Sequence, residues 1–250
     1  MSGHSKWHNI KLRKGKADAQ RGALFTKLSK EIILAAKSGS PDPEANYRLK
    51  MAVDKARENN VPQDNIKRAI ARATGADGAK EIEELRYEGY GPAGVAIILE
   101  AATDNRNRTA SELRFLFSRH GGSLGETGSV AWMFDARGLL EVEQGRLSED
   151  QLTEAALVDG VIDVRYATDG DRSEIITEPA ELAAVRDRLA ANGLRVTSMV
   201  LGVEPKQTVA PSGNDLREVI TFLDALEEHE DVQRVFSNAE LDEEQLEALA

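Results

Sequence analysis

Residues 138–203 read GLLEVEQGRLSEDQLTEAALVDGVIDVRYATDGDRSEIITEPAELAAVRDRLAANGLRVTSMVLGV. Apolar residues at strand spacing place strands at Leu139–Glu143, Val161–Ala167, Glu174–Thr177 and Leu194–Val203. Apolar residues at helical spacing place helices at Ser148–Val158 and Pro179–Ala191. The punctuation agrees with that division. Ser148 and Gln151 stand at capping-box spacing, Thr168-Asp-Gly-Asp171 has hairpin-turn composition, and Gly193 follows the second helix. The order is βαββαβ, which predicts a ferredoxin-like domain at residues 138–203.

On either side of this stretch the pattern is strand and helix again. Leu85–Glu88, Gly94–Ala101 and Ser129–Phe134 read as strands, with a helix between Asn105 and His120. Beyond residue 203, Lys206–Val209 reads as a short strand, Asn214–His229 as a long helix and Asp231–Phe236 as a strand. Together these predict a second α/β domain, residues 81–134 plus 205–238, into which the 138–203 domain is inserted. An acidic tail, residues 239–250, follows.

The first 76 residues have a different texture. Helices are predicted over Asp18–Lys37, Pro43–Asn59 with Asp42 as N-cap, and from Pro62 to Gly75. The fold class is therefore α+β in three domains: an N-terminal three-helix module at 1–76, then two ferredoxin-like α/β domains, the third inserted into the second.

Charge divides at the same boundary. Residues 1–76 hold 16 Lys and Arg against 7 Asp and Glu, net +9, and the remainder holds 16 against 36, net −20, giving the −11 of the whole chain. A pI near 5.0 conceals a basic module on an acidic body. Such asymmetry points to a polyanionic partner. The absence of cysteine excludes disulfides, thiolate zinc sites and a cysteine nucleophile. No apolar stretch is long enough for a membrane span, and the expected localisation is cytoplasmic.

The cations of the basic module are the candidate nucleic-acid contacts: Lys6, Lys11, Arg13, Lys14 and Lys16 in the first stretch, then Arg21, Lys27, Lys30, Lys67, Arg68 and Arg72 on the helices. Trp7 and His8 sit among them, and an aromatic ring there can stack on an unpaired base. His4 and His8 have metal-ligand spacing but lack a third ligand before Asp18, so no metal is expected.

Arg106 and Arg108, in Asp104-Asn-Arg-Asn-Arg-Thr109, form a second candidate anion contact at a strand-to-helix junction; the plainer reading is a helix cap with solvated arginines. His229 lies among Glu227, Glu228, Glu230 and Asp231, which reads as a solvated acidic face. Gly89-x-Gly91-x-x-Gly94 matches a dinucleotide fingerprint in letters but leads into a strand, so it reads as a tight connection. No P-loop and no nucleophile–base set is present. Neither catalytic residues nor a cofactor nor a small-molecule substrate are expected, and the protein reads as a non-enzyme.

Several motifs together carry a resemblance. Gly3-His-Ser-Lys-Trp-His-Asn-Ile10, Phe25-x-Lys-Leu-x-Lys-Glu-Ile32, Asn60-Val-Pro-x-Asp-Asn-Ile66, Tyr87-Glu-Gly-Tyr-Gly-Pro-x-Gly-Val-Ala96, Thr103-Asp-Asn-Arg-Asn-Arg-Thr109 and Gly121-Gly-x-Leu-Gly-x-x-Gly-Ser-Val130 make the chain similar to the YebC family over its whole length. The resemblance implies a three-domain regulator of gene expression that binds DNA. It also brings in a mitochondrial relative that activates translation of cytochrome c oxidase subunit I, and a ribosome-linked role for bacterial members. The chain begins directly on the family motif, so a bacterial cytoplasmic member is expected. Expected partners are DNA, or ribosomal or transfer RNA, with a protein partner for the acidic domains. A transcriptional regulator is the leading expectation, a ribosome-associated translation factor its rival, and an interaction scaffold without nucleic acid a remote third.

Overall fold

The computed structural model describes residues 18–75, 80–168 and 172–241, with side chains from residue 22 onward in the first range. The chain divides into two compact units, one holding residues 18–75, 80–131 and 211–237, the other residues 132–168, 172–210 and 238–241.

The first unit begins with three helices, α1 (Asp18–Lys37), α2 (Tyr47–Glu58) and α3 (Gln63–Ala73). Their apolar faces close on one another through Leu28, Ile32, Leu49, Val53, Ala56 and Ile66, and this core takes in Ile82 and Ala102 from the sheet segment that follows. Helix α2 starts later than the Asp42-Pro43 signal suggests. Asn46 is its cap: the side-chain oxygen accepts the Leu49 N–H at 3.1 Å, while Nδ2 donates to the carbonyls of Ala35 and Ser40, each at 2.8 Å. One buried amide thus satisfies three backbone groups, which a carboxylate at Asp42 cannot do. Asp42 instead accepts the Glu44 N–H in the preceding turn. The later start leaves Tyr47 at the surface and buries Leu49 and Val53.

A four-stranded antiparallel sheet follows, with β1 (Glu83–Tyr90), β2 (Ala96–Thr103), β3 (Ser123–Leu124) and β8 (Val232–Ser237) in the order β3-β1-β2-β8. Helices α4 (Arg106–Arg119) and α7 (Gly213–Glu228) belong to the same unit. Central strand β2 is buried on both faces, which accounts for the unbroken apolar run from Val95 to Leu99. The hairpin β1–β2 occupies the centre of the sheet, an order of its own rather than the ferredoxin-like one expected for this domain.

The glycines of Gly89–Gly94 serve packing. A Cβ at Gly89 would lie 2.6 Å from the Phe117 ring, and the chain turns through a 3₁₀ segment at Pro92–Gly94 with Gly94 at φ +72°. Phe117 and Phe222 then meet edge to face with centroids 4.9 Å apart.

The second unit contains β4 (Phe134–Glu143), α5 (Glu149–Ala156), β5 (Val161–Arg165), β6 (Arg172–Thr177), α6 (Leu182–Ala191) and β7 (Val196–Pro205). Its antiparallel order β5-β6-β4-β7 is the ferredoxin-like one. Leu140, Val142, Leu152, Ile175, Val185 and Leu189 form the core. The Ser148–Gln151 capping box is present in both directions.

Two expectations fail at the edges of this unit. Ser129–Phe134 is not a strand: Ala131–Met133 is a 3₁₀ turn, and β4 starts at Phe134 and runs through Gly138 because β7 pairs with it as far as Pro205. Gly138 is a site of close approach, not a break, since a Cβ there would meet Leu182 at 2.9 Å. Lys206–Val209 forms no strand either. The Lys206 N–H is taken by the Met133 carbonyl, and only Val209 bridges to Ala239. No helix among the described residues is long and apolar enough to cross a membrane.

Candidate nucleic-acid interface

Lys27 and Lys30 of α1 are spent inside the first unit. Lys27 donates to the Glu227 carbonyl at the C-terminal turn of α7. Lys30 donates to the Glu230 carbonyl at 3.0 Å and to the Asp231 carboxylate. Lys37 reaches Glu81 at 2.5 Å and the Ile82 carbonyl at 3.0 Å. The sequence pattern points these lysines to solvent. Instead the carbonyl and carboxylate oxygens of Glu227, Glu230 and Asp231 draw Lys27 and Lys30 in, because charges leaving water need partners, while Lys37 pairs at the surface.

Asp231 is the centre of that arrangement. Its side chain is 0% exposed, and it accepts from Lys30, from the Arg108 guanidinium at 3.0 and 3.2 Å, and from the Thr109 hydroxyl at 2.7 Å. Thr109 also bonds Thr103 at 2.9 Å, the Asp231 N–H donates to His229 Nδ1 at 3.1 Å, and His229 Nε2 lies 3.0 Å from Glu112. Burial pushes the Asp231 carboxyl up, but the hydrogen bonds from Lys30, Thr109 and Arg108 and the Lys30 charge outweigh it and hold the pKa at about 2. The reading of Glu227–Asp231 as a solvated acidic face is thus corrected at His229 and Asp231. Glu112, His229 and Asp231 bring donor atoms within 4.8 Å of one another, the one such group among the described residues. Two protein cations already occupy the Asp231 oxygens, so the set is balanced by the protein itself.

At the Arg106–Arg108 junction the capping reading describes the geometry. The Asn105 side chain accepts the Arg108 N–H at 3.2 Å, closing the helix N-terminus. Arg108 turns to Asp231 and Asp104, and Arg106 lies at the surface 3.8 Å from Glu83.

On α3, Ile66 and Ala69 face the core while Lys67 and Arg68 are exposed. Arg68 bonds its own helix at Asn65 and Asp64. Arg72 donates to the Lys80 carbonyl at 2.9 Å and lies 3.7 Å from Asp104, which brings the end of α3 beside the start of α4. Lys6, Trp7, His8, Lys11, Arg13, Lys14 and Lys16 fall outside the described residues, as does the side chain of Arg21.

Glu88 is a further buried group that the sequence does not single out. Its carboxylate accepts the N–H groups of Gly128, Val130 and Ala131 at 2.9 to 3.0 Å and so anchors the end of the Gly121–Gly128 loop. Burial pushes this carboxyl up, and the three N–H groups with the Arg86 charge bring it below the ordinary range.

A helical segment with surplus cations, joined to two antiparallel sheets, defines the class: an α+β protein with a basic N-terminal segment. The chain belongs to the TACO1/YebC family, matching the model of the "TACO1/YebC protein N-terminal domain" over residues 5–76 and that of the "TACO1/YebC second and third domain" over residues 82–239. It is 50% identical over 245 residues to a "probable transcriptional regulatory protein" of Rubrobacter xylanophilus, covering 98% of this chain and 97% of that one. A protein of the same description from Pelotomaculum thermopropionicum is 49% identical, with 97% and 100% covered. Among solved structures, the conserved hypothetical protein Aq1575 from Aquifex aeolicus superposes with a TM-score of 0.82 at 42% identity, covering 91% of this chain and 93% of that one.

Proposed function

We propose that the protein is a nucleic-acid-binding regulator of gene expression whose primary contact is the basic segment at residues 1–76. The observation that carries this reading is the charge partition, net +9 in those residues against −20 in the rest. The acidic remainder as a whole repels free polyanion, so the basic end is the favoured face for phosphate, and contact there releases counterions. The names of the relatives support a transcriptional role. Engagement of Lys27 and Lys30 by the first unit narrows the helical contribution to Arg21, Lys67, Arg68 and the partly exposed Arg72. The remaining phosphate contacts fall to Lys6, Lys11, Arg13, Lys14 and Lys16, with Trp7 and His8 among them. The reading includes no catalytic step and no cofactor.

Titration of the full chain against nucleic acid at increasing salt tests it. Neutralising roughly five to eight phosphates gives a log–log slope of about −4 to −8, and removal of residues 1–16 flattens it. A flat response in the intact chain refutes the proposal. The rival role in translation is separated by sedimentation: co-migration with ribosomal particles supports it, and tight binding to a defined promoter without co-migration supports transcription.

A further inference from the structure

Helix α4 stands apart from the acidic body that surrounds it in sequence. Its 14 residues carry four arginines against one glutamate, while α7 in the same unit carries Asp215, Glu218, Asp224, Glu227 and Glu228. Arg108 is committed to Asp231, but Arg114 and Arg119 are exposed, and no carboxylate among the described residues pairs with either. Between them Phe115 is 62% exposed, although Leu113 and Phe117 two residues away on each side are fully buried. Helical spacing puts Asn107, Ser111, Arg114, Phe115 and Ser118 on one outward strip about 16 Å long. A groove of about 480 Å³, lined by Ser111, Glu112, Phe115, Leu116 and His229, runs alongside.

A phenyl ring flanked by two exposed guanidinium groups and two hydroxyls is well suited to an unpaired base. The ring offers a stacking platform, the guanidinium groups meet the adjoining phosphates, and the serine hydroxyls reach base edges or sugars. A duplex cannot use it, because its bases are already stacked. An acidic protein segment would pair with the arginines but has no need of the ring.

We propose that the α4 strip is a second contact, one that binds single-stranded RNA by stacking a base on Phe115 between Arg114 and Arg119. The proposal rests on the nucleic-acid reading above and extends it to a separate surface. The Asp231 knot positions it: Arg108 and Thr109 pin the first turn of α4 to the start of β8, and the Arg72–Asp104 contact sets that turn beside the basic α3.

The test measures binding of a labelled single-stranded RNA of about 12 nucleotides to the full chain and to Phe115→Ala, Phe115→Tyr and Arg114→Ala/Arg119→Ala. Phe115→Ala is expected to weaken binding about 5- to 100-fold, the range of one lost stacking contact, with the loss persisting at high salt. Phe115→Tyr keeps the ring and should bind as the parent does. The double arginine variant should reduce the salt slope by about 1.4, at about 0.7 per charge on a single strand. Duplex RNA of the same sequence should not distinguish Phe115→Ala from the parent. Photocrosslinks to the RNA should map to residues 111–119.

Equal affinity of Phe115→Ala and the parent overturns the proposal, as do crosslinks confined to residues 1–76. In either case the basic-module reading stands if removal of residues 1–16 still abolishes binding. A Phe115-dependent preference for single-stranded DNA of the same sequence also overturns it, and binding of no nucleic acid by the parent chain removes both readings together.

Discussion

Replacing Asp231 by Asn should destabilise the first unit severely at neutral pH and hardly at all near pH 2. The side chain is fully buried, and the two cations it holds, Lys30 and Arg108, have side chains 11% and 38% exposed. Asn keeps the shape but turns a donor amide toward one of the cations and leaves the buried Lys30 without a counter-charge. A pKa held at about 2 against the ordinary 3.8 corresponds to about 2.5 kcal/mol of stability from ionisation alone. Stranding a buried charge adds to this, so the expected loss at pH 7 is about 3–5 kcal/mol.

The sign follows from the direction of the shift. A carboxyl whose folded pKa is depressed contributes fully above its unfolded pKa and loses the contribution as pH falls through the folded value. The ionisation part should therefore be nearly intact at pH 4, about half gone at pH 3 and almost absent at pH 2. Urea unfolding of parent and variant across this range, with hydrogen exchange read on peptides from α1, α4 and β8, reports both the size and the location. A destabilisation below about 0.5 kcal/mol at pH 7, or one that does not shrink between pH 4 and pH 2, refutes the account of Asp231 as a charge-compensated link.

Glu88→Gln leaves the N–H groups of Gly128, Val130 and Ala131 with a poorer acceptor; it should cost about 1–3 kcal/mol and speed exchange of those three amides while α1–α3 remain protected. Ser148→Ala removes one half of the α5 capping box and should lower the stability of the second unit by about 1 kcal/mol in thermal unfolding, without affecting nucleic-acid binding.

What was legible in the sequence was local. The α5 capping box, the left-handed glycines at Gly75, Gly121 and Gly193, and the apolar run of β2 each depend on residues within a few positions of one another, and each appears where the pattern places it. Sheet order was legible only for β4–β7, where the βαββαβ succession leaves few topologies. In the first sheet the distant strand at Asp231–Phe236 was legible as a member, but the order was not, because β3 is only two residues long and β8 pairs with β2 across more than a hundred positions. The same separation hid the polar knot. Lys30 and Asp231 are 201 positions apart, and nothing near Lys30 distinguishes it from the exposed Lys67.

That difference bears on how charge should be read in this family. A lysine on an amphipathic helix has two fates, solvent or a buried acceptor on a distant element, and net charge counts both alike. Here Lys27 and Lys30 take the second, while Lys37 pairs with Glu81 at the surface. The charge excess of residues 1–76 therefore overstates what α1 offers to phosphate. The balance moves to residues 6–16 and α3. On α4, Arg114 and Arg119 are exposed, and no carboxylate among the described residues pairs with either.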